Sequence, residues 1–187
     1  MAKYWKTLFA LSGVSLMLTA CQSFDTLQLK RIKETTATQS NALIYCAGTQ
    51  DCEFERIDKT FIVDLENGHL TKQAMQQNLV RLNAKNVNQP NAVYLSIAPG
   101  QHELVVRFYP ISRDKAEVLH VFQNFQADRK YTFKMYRDRS SKVSSLLNAS
   151  VPDPLCVDLL QEQKMIRRFC KPYNAQTGIA EFVEHKI

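Results

Sequence analysis

The sequence predicts a mainly β fold, an antiparallel β-sandwich-like domain with a short C-terminal helix. Three observations lead there. Apolar and polar residues alternate over most of residues 92–139, the period of a half-buried strand. Turn-forming residues punctuate that stretch at short intervals. The composition is that of one globular domain: of 187 residues, 45% are hydrophobic and 22% charged, with only 5 Gly and 6 Pro. Collagen-like, low-complexity and fully disordered classes are thereby excluded.

Taken in order, residues 41–45 form a short strand running into Cys46, and residues 60–65, TFIVDL, form another rich in β-formers. Asn67-Gly68 follows and predicts a two-residue type I′ hairpin, because both central positions of that turn need positive φ. Residues 71–82 are open between states, since Met75, Leu79 and Leu82 fall at the spacing of a short amphipathic helix. Residues 83–91 read as a loop. Val93, Leu95 and Ile97 then alternate with Tyr94 and Ser96, and Ala98-Pro99-Gly100-Gln101 supplies turn chemistry. His102, Leu104, Val106 and Phe108 continue the alternation; residues 117–125 and 130–137 give two further strands, separated by a turn at 126–129. Strands joined so briefly predict an antiparallel meander with one face packed and one wet. Residues 144–148 read as a helical turn or loop, and Pro152-Asp153-Pro154 as a rigid break. Beyond it Leu155, Leu159, Leu160 and Ile166 predict a helix with Asp158 and Glu162 early and Lys164, Arg167 and Arg168 late, the charge order a helix dipole favours. The tail, with Phe182 and Val183, offers an edge strand.

Residues 93–137 resemble the small β-sandwich modules of bacterial envelope proteins, including PEGA-like domains. The matching residues are Ile97, Pro99, Gly100, His102, Leu104 and Val106. The resemblance implies a binding or structural module rather than an enzyme.

At the N-terminus, Lys3 and Lys6 precede an uncharged run from Leu8 to Ala20, the n- and h-regions of a secretory signal. About 13 residues are too few to span a bilayer, which takes roughly 20. The run closes on Leu18-Thr19-Ala20-Cys21, which resembles the lipobox of bacterial lipoproteins. That resemblance implies cleavage before Cys21, diacylation of its thiol and acylation of the new amino terminus. Gln22 and Ser23, in place of a retaining Asp, imply the outer membrane by the same resemblance, with the domain facing the periplasm. Residues 1–20 are then a cleaved signal peptide, residues 21–40 a lipidated N-terminus and flexible tether, and residues 41–187 a single domain. Removing the leader takes two lysines from 24 basic side chains, leaving 22 against 18 acidic ones, a formal charge of +4. With Cys21 lipidated, four of the five cysteines remain in an oxidising compartment. The turn-rich Ala47-Gly48-Thr49-Gln50-Asp51 between Cys46 and Cys52 favours local pairing, and Cys156 with Cys170 follows. Zinc is the competing reading of these cysteines, but their spacing lacks the short paired knuckles of zinc modules; no metal and no cofactor is expected.

Candidate chemistry is sparse. His69, His102, His120 and His185 form no H-x-x-x-H pair, and neither a G-x-S-x-G string nor a P-loop occurs. His102 and His120 fall on strands expected to be neighbours, which leaves a two-histidine site open; a pocket joining them to an acidic residue would favour a cell-wall hydrolase. Asp64 and Glu66 alternate on one strand, which does not by itself bring a carboxylate pair across a cleft. The basic segment says more: Arg129, Lys130, Lys134, Arg137, Arg139 and Lys142 stand against Asp128 and Asp138, interleaved with Tyr131, Phe133 and Tyr136. In the periplasm such a segment would meet lipid or glycan phosphates rather than nucleic acid. Three functions follow: a non-enzymatic lipoprotein acting in envelope assembly with a protein partner, a binder of anionic lipid or glycan through residues 129–142, and a cell-wall hydrolase.

Overall fold

A computed structural model describes residues 25–49, 51–139, 153–172 and 180–187. The leader, Cys21, Lys142 and residues 144–148 lie outside them. Two sheets enclose one apolar cluster. The elements are α1 (residues 25–31), β1 (Ala42–Ala47), β2 (Asp51–Ile57), β3 (Thr60–Phe61), α2 (Lys72–Gln76), β4 (Val80–Leu82), β5 (Val93–Ile97), β6 (Gly100–Tyr109), β7 (Glu117–Phe125), β8 (Lys130–Arg137), β9 (Leu155–Gln161), β10 (Lys164–Lys171) and β11 (Val183–His185). Seven strands form one sheet in the order β11-β10-β9-β8-β1-β5-β4, and four form the other, β3-β2-β6-β7.

Alternation decides which side chains point inward. Ile44, Leu95, Tyr131, Phe133 and Met135 of the larger sheet meet Phe54, Leu104, Val106, Phe108 and Phe125 of the smaller in the shared cluster. Phe125 and Tyr131 touch edge to face at 4.9 Å, carrying the contact across the sandwich. Chain order does not decide sheet membership. The meander expected over residues 93–137 is replaced by a path that leaves the larger sheet after β5, makes the β6–β7 hairpin in the smaller sheet, and returns as β8. Returning from a long excursion, β8 runs parallel to β1, the one parallel pairing in an otherwise antiparallel pair of sheets among the described residues. Parallel pairing requires such a long crossover.

The expected C-terminal helix is a hairpin instead. Leu155, Val157 and Leu159 are buried at period two, and β9 pairs with both β8 and β10. Glu162 and Gln163 turn it with φ of 47° and 76°, two positive values in succession as a type I′ turn needs. The charge order that suits a helix dipole serves cross-strand pairing here, with Asp158 opposite Arg168. Asn67-Gly68, by contrast, does not form the two-residue hairpin. Only Gly68 has positive φ there, and Asp64 closes a wider loop, its backbone bonded to Gly68 and His69 and its carboxylate accepting from the Glu66 N–H. The strand expected over residues 60–65 shrinks to β3, followed by a single bridge from Val63 to Leu70. Residues 71–82 divide between α2, capped by the Thr71 hydroxyl, and β4. In the segment read as a flexible tether, α1 is packed on the domain: Leu29 is 2% exposed, Ile32 lies against the core, and the Thr26 hydroxyl accepts from the Val87 N–H. One buried leucine outweighs the polar composition around it.

Both local disulfides are present, Cys46–Cys52 and Cys156–Cys170. The first ties β1 to β2 and so clasps one sheet to the other. The second joins residues directly opposite on β9 and β10 rather than the ends of a helix. In the chain-entropy view its 15-residue loop contributes about 3 kcal/mol, so the Cys156→Ala/Cys170→Ala protein is expected to lose about that much in urea unfolding, with an unchanged midpoint counting against it.

Candidate functional site

The basic segment follows the pleat of β8, which divides it. Lys130, Thr132, Lys134 and Tyr136 face outward from the seven-stranded sheet, while Tyr131, Phe133 and Met135 enter the core. The Lys130 ammonium sits 4.3 Å from the centroid of the Tyr45 ring, which stacks on Tyr94 at 4.7 Å with 12° between planes. Next along the sheet is Arg81, whose guanidinium donates to the Val80 and Asn78 carbonyls and leaves Nη2 buried without a partner. Burial pushes the Arg81 pKa down, against the pull of Tyr94 and Glu34. Lys134 stands opposite Asp158, whose carboxylate is held by Arg168 at 2.7 and 3.0 Å.

Arg129 precedes the strand, its carbonyl accepting from the Leu43 N–H. At the far end Arg137 donates to the Asp153 carbonyl at 3.1 Å, and Arg139 lies 3.8 Å from the Asp153 carboxylate. Arg137 and Arg139 line a cavity of about 510 Å³ with Gly48, Thr49 and Pro110. Ten steps of mostly extended chain separate Arg129 from Arg139, roughly 30 Å. The five residues expected to form one anion site are therefore not brought together: Lys130 and Lys134 share the aromatic face, Arg137 and Arg139 sit at the strand's end, and Arg129 joins neither pair.

His102 and His120 lie on neighbouring strands, as expected, but on opposite faces. An unbroken register pairs His102 with Gln123 and His120 with Val105, three positions apart. Both His102 ring nitrogens are engaged, Nδ1 with Asp58 at 2.7 Å and Nε2 with the Ala98 carbonyl at 3.0 Å. Burial raises the Asp58 pKa, but hydrogen bonds from His102 and the Glu103 N–H win and hold it below the usual carboxylate range. The same sheet carries a cross-strand ladder: Tyr109 donates to Glu53 at 2.7 Å, Arg107 to Glu55 at 3.1 Å, and Arg56 to Glu103 at 2.6 and 3.0 Å. Burial and Glu53 push the Tyr109 hydroxyl up to about 12. These pairs tie β2 to β6, as opposed charges across strands do. Asp64 caps its own loop and does not face Glu66 across a cleft. Among the described residues no three His, Cys, Asp or Glu side chains are placed to hold a metal ion.

One cluster had no signal in the sequence. At the end of the sandwich where β2 begins, α1 and the loops at residues 64–70, 83–92 and 110–116 surround a cavity of about 230 Å³ lined by Asp25, Asp51, His69, Val87, Asn88 and Arg113 among others. Asp51, 6% exposed, organises it by accepting from the Cys52 and Asn91 N–H groups at 3.0 and 2.9 Å and from the Arg113 guanidinium. His69 lies 3.9 Å from Asp25, whose pKa burial raises against the opposing pull of His69. Its parts are scattered over 89 residues, so no local spacing could reveal it. No protein family, curated protein or solved structure matches this chain.

Proposed function

We propose that the protein is a non-enzymatic lipoprotein, anchored through acylated Cys21 to the outer membrane and facing the periplasm, that acts in envelope assembly by binding another envelope protein. The observation that carries this reading is the distribution of sulfur. Four cysteines are joined in two disulfides, the state of an oxidising compartment, and the fifth is Cys21 at the end of the lipobox-like run. A pull-down from detergent-solubilised envelope at native expression level tests the partner. A protein recovered repeatedly in stoichiometric amount supports it; repeated recovery of this chain alone counts against it.

A second reading is favoured by the outer face of the seven-stranded sheet, where Lys130 lies over the Tyr45–Tyr94 stack beside exposed Lys134. Stacked rings beside cations suit a sugar or headgroup bearing phosphate. Each lysine contributes about 1 kcal/mol against an anionic surface, so Lys130→Glu/Lys134→Glu is expected to lower lipopolysaccharide binding roughly tenfold or more. Unchanged binding removes this reading.

A further inference from the structure

The first described residue, Asp25, lies in the wall of the cavity at the β2 end of the sandwich. Only residues 22–24 stand between it and Cys21. Four steps of fully extended chain reach at most about 14 Å. With α1 packed on the domain, a lipid on Cys21 leaves no long spacer below the fold. This end must lie close to whatever the lipid enters.

The same end carries exposed apolar side chains on three separate segments. Leu27 of α1 is 55% exposed, Leu65 in the Asp64-closed loop 51%, and Ile111 in the loop after β6 69%. Each belongs to a segment that contributes a wall of the cavity, through Asp25, through Gly68 and His69, and through Arg113 respectively. Charge here is mixed: Arg113 is bonded to Asp51, Lys115 follows Asp114 in sequence, and Arg137 and Arg139, which line the neighbouring cavity with Pro110, lie against Asp153. Apolar tips on the end whose wall includes Asp25, itself within about 14 Å of an acyl anchor, fit the boundary between headgroups and acyl chains.

We infer that this end of the domain docks on the bilayer, with Leu27, Leu65 and Ile111 entering the interface beside the lipid anchor. The inference rests on the lipoprotein reading and adds an orientation to it. The membrane meets the loops at 64–70 and 110–116, and the far end of β6 and β7 faces away. Docking is apolar, so it needs no anionic lipid.

The test uses the acylated protein purified from membranes and placed in phosphatidylcholine vesicles with brominated acyl chains. Trp5 is the single tryptophan of the sequence and lies in the leader, so Leu65→Trp, Ile111→Trp and Phe122→Trp each report alone. Phe122, 63% exposed, lies toward the far end, opposite Glu103. At least twofold quenching of the first two, with little quenching of Trp at 122, is expected, unchanged when phosphatidylglycerol is added. Equal quenching at all three positions in protein whose intact mass shows the acyl chains overturns the docking and leaves the lipoprotein reading standing. An intact mass without acyl chains overturns both.

Discussion

Cys21→Ala is expected to abolish acyl labelling completely and to leave a precursor that still carries residues 1–20. On the proposed lipoprotein reading, the Cys21 thiol would accept the first lipid and its acylation would license cleavage. The consequence is clearer when the domain follows a conventional cleavable secretory leader, so that the mature chain starts at Gln22. It is then expected to leave the membrane fraction almost entirely and appear soluble in the periplasm. A single myristoyl chain gives only marginal membrane binding, and each buried CH₂ contributes about 0.8 kcal/mol, so three chains hold a protein permanently and none does not. Folding is expected to survive, because the N-terminal contribution to the core is Leu29. Sedimentation with the membrane in the absence of any acyl group would contradict this.

Gly48→Ala is expected to be the most damaging single methyl group in the described fold. Gly48 adopts φ of 93° where β1 hands over to β2, and a Cβ there would lie 2.0 Å from the Met135 carbonyl oxygen. That oxygen belongs to β8, held on one side by β1 and on the other by β9, so it cannot retreat. The turn must move instead, straining the closure between Cys46 and Cys52 beside it. A loss of about 3 kcal/mol or more is expected, which lowers Tm by roughly 10 °C in a domain of this size. Gly68→Ala separates conformation from collision. Gly68 has φ of 72° but nothing within 4 Å of a new Cβ, so only the left-handed backbone cost of about 1–2 kcal/mol applies. Equal losses from the two substitutions would show that the approach to Met135 is not what Gly48 provides.

Strand positions were legible in the sequence where alternation was long and clean. Residues 93–97, 102–108, 117–125 and 130–137 are strands, and their inward side chains are the expected ones. The partner of each strand was not legible, because a period of two fixes faces and leaves open which sheet a strand joins. The β9–β10 hairpin was misread for a related reason. Leu155 and Leu159, four apart, fit helical spacing as well as strand spacing, Leu160 and Ile166 lent weight to the helix, and the turn residues Glu162 and Gln163 carry no sequence signature of positive φ. The disulfides were readable because both close short, local loops. The basic segment was readable as composition only: the pleat that sends Lys130 and Lys134 to one face also spreads Arg129 and Arg139 roughly 30 Å apart. The β2-end cavity, gathered around buried Asp51 from four distant segments, exists only once the chain is folded.

Intact mass spectrometry of the native protein, extracted from membranes without reduction, tests the central claim most directly. The expected result is a chain beginning at Cys21, 20 residues shorter than the sequence, carrying three acyl chains, with Cys46, Cys52, Cys156 and Cys170 all in disulfides. A mass matching an unacylated chain, or one that retains Trp5, would contradict the claim that Cys21 anchors this domain to the membrane.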